Sequence, residues 1–241
     1  MILSHKYQFI FIKTEKTAGT SFEIALSKFC GPEDIITPIA REDEDLRRSL
    51  GFRQAQNYHK TIGDFIKQPN IDKAEDFLDI FYRGRRPRKF WNHIPAADLR
   101  DLISPEVWRS YTKFTIVRDP VDQTISNYNW VKNRYAGNDN LDDLSTYVRT
   151  RPSRLRNNWD IVSYRGDFLL DYAIRFEKLS IDADEVGAMV GLPENLSGIL
   201  STVRAKSGYS QEGKEKQKIA TDDDIKVIRY LRKEEADFFG Y

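Results

Sequence analysis

Cysteine is nearly missing from this sequence. The single Cys30 leaves no partner for an internal disulfide and no basis for a cysteine-ligated zinc site, which suits a reducing compartment. Histidine is almost as scarce, with only His5, His59 and His93, so imidazole chemistry has three places to occur. No apolar run approaches the roughly 18 residues of a membrane span. The opening MILSHKYQFIFIK is too short and too interrupted for a signal peptide and reads as the first core strand. Net charge is missing too: 38 Lys and Arg against 37 Asp and Glu leave +1. That balance argues against a general nucleic-acid or membrane-surface binder, which carries a basic excess. Any anion site must be local. With no repeats and no low-complexity linker, the expectation is a soluble cytoplasmic protein without a membrane span.

What is present suffices for one full core: 241 residues, 40% hydrophobic and 31% charged. YQFIFI (7–12) is aromatic and β-branched, as a strand buried on both faces should be. SFEIALSKF (21–29) has helical apolar spacing and stops at Gly31-Pro32. A polar, helix-leaning stretch over 41–89 includes REDED and RGRRPRK. PAADLRDLISPEVWRSY (95–111) predicts two short helices broken at Ser104-Pro105. KFTIVRDP (113–120) is a second buried strand, followed by an amphipathic helix over 121–135. A loop-rich section covers 136–168, DYAIRFEKL (171–179) is a candidate third strand, and helices are expected over 182–192 and 222–239. The acidic first turn of the last suits its macrodipole. The expectation is one α/β domain over 1–241, with insertions at about 41–90 and 136–168.

Strand, turn and helix occur in that order twice. In FIFIKTEKTAGTSFEIALSKFCG (9–31), a glycine-bearing turn aims backbone N–H groups at whatever sits above it, a ready anion site. Gly19 permits close backbone approach, Thr20 and Ser21 offer hydroxyls, and Lys16 adds a mobile charge. The stretch lacks the first glycine of G-x-x-x-x-G-K-S/T and its lysine precedes the glycine, so ATP or GTP fits poorly. The plainer alternative is that Thr20 or Ser21 caps the helix while Lys16 is solvated. The second turn supplies Arg118 at a strand end and Ser126 eight residues later, a fork and a hydroxyl suited to a second phosphate. Alone, Arg118 would be read as an ion pair with Asp119 or Asp122.

KTEKTAGTS resembles the phosphosulfate-binding loop, P-K-T-A-G-T-S, of carbohydrate sulfotransferases that use 3′-phosphoadenosine 5′-phosphosulfate (PAPS). IVRDPVDQTISNY resembles their 3′-phosphate-binding strand and helix, V-R-D/N-P-x-x-R-x-x-S-x-Y. NHIPAADLRDLISPEVWRSYTKF resembles the segment before that strand in bacterial relatives and uronosyl 2-O-sulfotransferases, and AIRFEKL and FFGY are similar too. Glu15 stands where the family usually has proline, and Gln123 where it often has arginine. Glu15 is expected to point away from the anion or to pair with Lys13 or Lys16.

The resemblance implies a P-loop-like, three-layer α/β fold with a central, mainly parallel sheet flanked by helices. It implies that Lys16, Thr17, Ala18, Gly19, Thr20 and Ser21 hold the 5′ end of PAPS while Arg118 and Ser126 hold the 3′-phosphate, with PAP as product and no metal. Lys16 would neutralise the leaving oxygen. His93, in WNHIPA, stands where these families place their catalytic base, and a neutral imidazole suits that work; the plainer reading is a buried histidine bonded to backbone. By the same resemblance the acceptor is expected to be a hydroxyl on a saccharide or similar small metabolite; the family's Golgi members begin with a membrane anchor that this chain lacks, so a polymer of the secretory pathway is not the expected substrate. The basic runs Arg83, Arg85, Arg86, Arg88, Lys89 and Arg149, Arg151, Arg154, Arg156 read first as solvated faces, with anion contact as the alternative. AKSGYSQEGK (205–214) reads as a loop that either folds over the nucleotide or lies at the surface. Rival readings are a non-catalytic adenosine 3′,5′-bisphosphate-binding module and a small-metabolite kinase.

Overall fold

Alternation along Phe9–Ile12 decides the architecture. In the computed structural model, which describes residues 1–61, 63–64, 76, 78–134, 143–150, 155, 157–207 and 219–241, all four of these residues are fully buried. Phe9 and Phe11 join one apolar cluster and Ile10 and Ile12 another, so the strand has a core on each side. Burying one such side chain contributes about 1.5–3 kcal/mol.

The N-terminal segment is a hairpin rather than a single strand. Strand β1 (Ile2–Ser4) runs antiparallel to β2 (Phe9–Ile12), pairing Ile2 with Phe11 and Ser4 with Phe9. His5 and Lys6 interrupt the apolar run, and the turn's polar groups converge on one buried carboxylate. Asp34 accepts from the backbone N–H groups of His5 (2.7 Å) and Lys6 (3.1 Å) and from the Ser4 hydroxyl (2.8 Å).

The described residues build a five-stranded sheet in the order β3-β1-β2-β4-β7. Strand β3 is Ile35–Ile36, β4 is Thr112–Val117 and β7 is Tyr172–Arg175, while β5 (Ser163–Tyr164) and β6 (Asp167–Phe168) form a separate hairpin. Strands β2, β4 and β7 run parallel, with Ile12 opposite Thr115 and Val117 opposite Arg175. The expected central, mainly parallel sheet is what forms. Helices α1 (Gly19–Ser27), α8 (Leu179–Met189) and α9 (Leu196–Ser207) share a core with Phe9, Phe11 and Phe114. On the opposite face, Leu99 of α3 (Ala96–Leu102) and Trp159 and Val162 of α7 (Trp159–Val162) pack with Ile10 and Ile12. The parallel register has a consequence for function: the segments leaving β2 and β4 emerge side by side at the carboxyl edge, where open α/β sheets bind ligands.

Several boundaries differ from the sequence expectation. The section 136–168 is less loop-rich than its composition suggests: α6 (Leu144–Thr150), α7 and the β5–β6 hairpin lie in it. Tyr147 and Val148 of α6 pack with Ile125 and Tyr128 of α5 (Pro120–Arg134) and with Ile228. The C-terminal helix divides into α10 (Asp222–Leu231) and α11 (Lys233–Phe239), because Arg232 leaves helical geometry at φ −115° and buries its guanidinium on Gln123 and Glu235. Helix α2 (Arg41–Ser49) and a π-helical turn (Leu78–Tyr82) occupy the polar stretch. The break between α3 and α4 (Pro105–Ser110) falls where expected, with Ser104 Oγ accepting from Val107 N at 3.2 Å.

Candidate active site

The first turn is built from backbone held by side chains that come from elsewhere. Asn158 grips both sides of Glu15: its Oδ1 accepts from the Glu15 N–H at 2.9 Å, and its Nδ2 donates to the Glu15 carbonyl at 3.0 Å. Gln123 Nε2 donates to the same carbonyl at 3.2 Å, and Gln123 Oε1 accepts from Arg232 Nη1 at 3.0 Å. Thr14 Oγ1 reaches the Ile116 carbonyl at 2.5 Å and Thr17 Oγ1 at 2.9 Å. The Thr17 hydroxyl is therefore a strut inside the turn, and the residue is fully buried.

Thus braced, the turn holds two residues in the left-handed region, Lys16 (φ 60°) and Ala18 (φ 62°). Six non-glycine residues among the described ones have positive φ, and His93 (φ 58°) is a third at this locus. Each costs of order 1–3 kcal/mol, and such outliers concentrate at functional sites. Ala18 occupies the N-cap of α1, which has no side-chain cap hydrogen bond. The alternative in which Thr20 or Ser21 caps the helix is not what forms: both are half-buried and lie within its first turn. The N–H groups of Gly19, Thr20 and Ser21 open the helix, where its dipole favours an anion.

Gly19 has a different reason from the one its motif suggests. A Cβ there would stand 2.8 Å from Lys13 Cγ and 3.3 Å from the Thr14 carbonyl oxygen. Its missing side chain makes room for Lys13, which runs beneath the turn to Glu23 in α1, Nζ to Oε2 at 3.0 Å. Lys13 therefore pairs with Glu23 and not with Glu15. The Glu23 carboxylate also meets the Met1 amine at 3.0 Å and Arg47 Nη2 at 3.8 Å, all fully buried. Burial alone would raise the Glu23 carboxyl, but Lys13, the Met1 amine and Arg47 hold it down at about 2.

Arg118 follows β4, 5% exposed, and joins the two turns directly. Its Nη1 donates to the Lys16 carbonyl at 3.1 Å, and its guanidinium lies 4.1 Å from the centroid of the Phe176 ring. The carboxylate of Asp119 is engaged by Arg229 at 3.1 Å and by the Val121 N–H at 2.7 Å. Ser126 is buried on α5. One helical turn further, on the same face, Trp130 carries the Lys16 ammonium 5.5 Å from its ring centroid. Lys16, Arg118 and the Ser126 face of α5 therefore meet at one edge of the sheet.

His93 reaches the same place from the segment before α3. Its Nδ1 lies 2.9 Å from the Lys13 carbonyl, which can only accept, so Nδ1 carries the proton and Nε2 keeps a lone pair. Burial, then the Lys13 charge, lowers its pKa from 6.5 to about 4. The ring is neutral near pH 7, the state a proton acceptor needs. The other two histidines are used elsewhere: His5 Nδ1 contacts Tyr111 Oη at 2.8 Å, and His59 Nδ1 contacts the Arg86 carbonyl at 2.9 Å.

The first basic run is largely solvated. Arg83, Arg85, Arg86 and Arg88 are exposed, with Arg83 paired to Asp79 and Lys89 to Asp64. Arg149 pairs with the buried Asp224 carboxylate, whereas Arg151, Arg154 and Arg156 lie outside the described residues, as does most of 205–214 beyond the end of α9. Among the described residues no group of three or more His, Cys, Asp or Glu side chains could hold a metal ion, and no helix is long and apolar enough to cross a membrane. Sequence reasoning missed Asn158, Trp130, Phe176 and the Lys13–Glu23 pair. Only Glu23 left a trace: a lone carboxylate inside the apolar run of α1, which burial makes expensive without a cation.

No curated protein and no solved structure matches the chain significantly. The sequence profile described as "Sulfotransferase family" matches residues 1–241, the whole chain. A strand-end lysine beside an uncapped helix start, a neighbouring arginine and a neutral histidine are thus carried on a chain that belongs to the sulfotransferase family and is, by that membership, a sulfuryl-transferring enzyme.

Proposed function

We propose that the protein moves a sulfuryl group from PAPS to a hydroxyl on a saccharide or small metabolite. The observation that carries this reading is the convergence of Lys16, Arg118 and His93 through two backbone carbonyls: Arg118 donates to that of Lys16, His93 to that of Lys13. The donor set fits a doubly anionic nucleotide. Helix α1 opens without a side-chain cap behind a left-handed residue, an arrangement that turns successive N–H groups toward an anion.

When bound, PAPS would supply an activated sulfuryl group on its 5′-phosphate and a second anionic handle at the 3′ position. The peptides of Thr17, Ala18, Gly19, Thr20 and Ser21 hold the 5′ end, and Arg118 with Ser126 holds the 3′-phosphate. A guanidinium has five N–H donors, of which one on Nη1 is committed to the Lys16 carbonyl. His93 Nε2 takes the proton of the acceptor hydroxyl as that oxygen bonds to sulfur. The Lys16 ammonium would stabilise the negative charge left on the phosphate oxygen as the S–O bond breaks. As in phosphoryl transfer, most of the catalysis is positioning and charge stabilisation.

The test is incubation with radiolabelled PAPS and a panel of saccharide, lipid and small-alcohol acceptors, with PAP binding followed by calorimetry. The expected result is label transfer that persists in a chelator and falls ~10²–10⁴-fold in His93→Ala, with PAP affinity retained. Failure to bind PAP overturns the cofactor assignment. PAP binding without transfer to any acceptor favours the non-catalytic module, and chelator-sensitive transfer from ATP favours the kinase.

A further inference from the structure

The ion cluster under the first turn is larger than support of the turn requires. Lys13 and the Met1 amine approach the Glu23 carboxylate at 3.0 Å and Arg47 at 3.8 Å; Arg47 lies closer to Glu44, at 2.9 Å, and burial lowers the pKa of the Met1 amine to about 5. Lys13 is 3% exposed and the other groups are fully buried. Of these residues Lys13 alone also touches the imidazole, through its carbonyl. Gly19 exists to let its side chain pass.

We propose that Lys13 is a positioning residue for His93: its carbonyl fixes the tautomer, and its buried ammonium, anchored on Glu23, adds to burial in disfavouring the imidazolium form. The inference rests on the reading of His93 as the base. The carbonyl accepts from Nδ1–H and leaves the lone pair on Nε2. The ammonium acts through space in a desolvated pocket, where a like charge disfavours imidazolium. Glu23 opposes this effect on the ring but is the smaller influence, and the Met1 amine, its pKa lowered by burial to about 5, adds its charge only in acid. The titratable groups facing the ring are Lys13, just after β2, the Met1 amine, just before β1, and Glu23 from α1. Asp43 of α2, its pKa raised by burial, faces Lys13 in turn.

The experiment is ¹⁵N NMR titration of the three imidazoles in the full chain, alongside the pH profile of kcat/KM. The wild-type His93 ring should titrate near 4 with the proton on Nδ1. Lys13→Met preserves the carbonyl and removes the charge, so the titration should move upward, stopping short of 6.5 because burial is the larger cause. Glu23→Gln leaves Lys13 charged and removes the offsetting carboxylate, so the titration should move further down. Loosening of the turn would move both variants upward together, and that result, or no movement in Lys13→Met, overturns the proposal. Should Lys13→Met fail to fold, Lys13→Gln, which also keeps the carbonyl and removes the charge, is read in the same way. Rings that titrate as expected while the acid limb of kcat/KM stays in place would remove His93 from the base role and leave Lys13's control of the ring standing.

Discussion

Gly19→Ala is the most direct perturbation of the turn, because one methyl group lands on a defined atom. The added Cβ would stand 2.8 Å from Lys13 Cγ and 3.3 Å from a backbone oxygen. A contact under 3 Å with a flexible side chain is ordinarily relieved cheaply. Lys13, however, is pinned at both ends: its carbonyl accepts from His93, and its ammonium sits 3.0 Å from Glu23. Overpacking of a constrained site costs about 1–3 kcal/mol, and alanine's better helix propensity returns at most about 1 kcal/mol. A net loss of about 1–2 kcal/mol lowers Tm by roughly 2–8 °C for a domain of this size. The control is the residue next to it. Ala18→Gly relieves a left-handed backbone cost of about 1–2 kcal/mol and adds about 0.5–1 kcal/mol of unfolded-state entropy, so Tm should hold or rise slightly. Urea unfolding of the two variants provides the assay. Equal stability of Gly19→Ala and wild type would refute the path drawn for Lys13.

Three further outcomes follow from the same geometry. The unfolded His93 ring binds a proton near 6.5 and the folded ring only near 4, so the unfolded state holds more protons between those values. Stability is then complete above 6.5 and lost as pH falls toward 4, and urea titrations should show this loss flattened in His93→Gln. For Glu23 the folded pKa of about 2 lies below the ordinary 4.5; its contribution is present above 4.5 and lost as pH falls through about 2, a lower window that Glu23→Gln should abolish. Asn158→Ala removes two hydrogen bonds from Glu15, worth about 1 kcal/mol each. It should lower unfolding free energy by roughly 2 kcal/mol and weaken PAP binding measured by calorimetry, whereas a loss of stability alone would make Asn158 a purely structural clamp.

The sheet was legible because its signal is local. FIFI and KFTIV carry unbroken apolar character, and a strand followed by a turn and a helix announces a parallel unit. The N-terminal hairpin was not legible, since the carboxylate that gathers its turn is Asp34, beyond the next helix. The division of the last helix was hidden for the same reason: Arg232 turns inward to meet Gln123, more than a hundred residues earlier.

The candidate site divides along the same line. The residues proposed to face the ligand sit in contiguous motifs, and those motifs carried Lys16, Arg118, Ser126 and His93. Residues that brace the donors are scattered, and the two departures from the family pattern show how they act. Glu15, where proline is usual, has an N–H to give, and Asn158 takes it at 2.9 Å. Gln123, where arginine is frequent, offers both an acceptor and a donor, and it links Arg232 to the Glu15 carbonyl. Proline has no N–H to donate to Asn158 and arginine has no side-chain acceptor for Arg232, so each family residue would lose one of these bonds. Side by side, they replace a rigid ring by hydrogen bonds running from Arg232, between α10 and α11, through Gln123 of α5 to the turn. The bond to Asn158 Oδ1 needs a residue other than proline at 15 and the bond from Arg232 needs an acceptor at 123; each stands without the other, and both brace the turn in which Lys16 and Ala18 have positive φ.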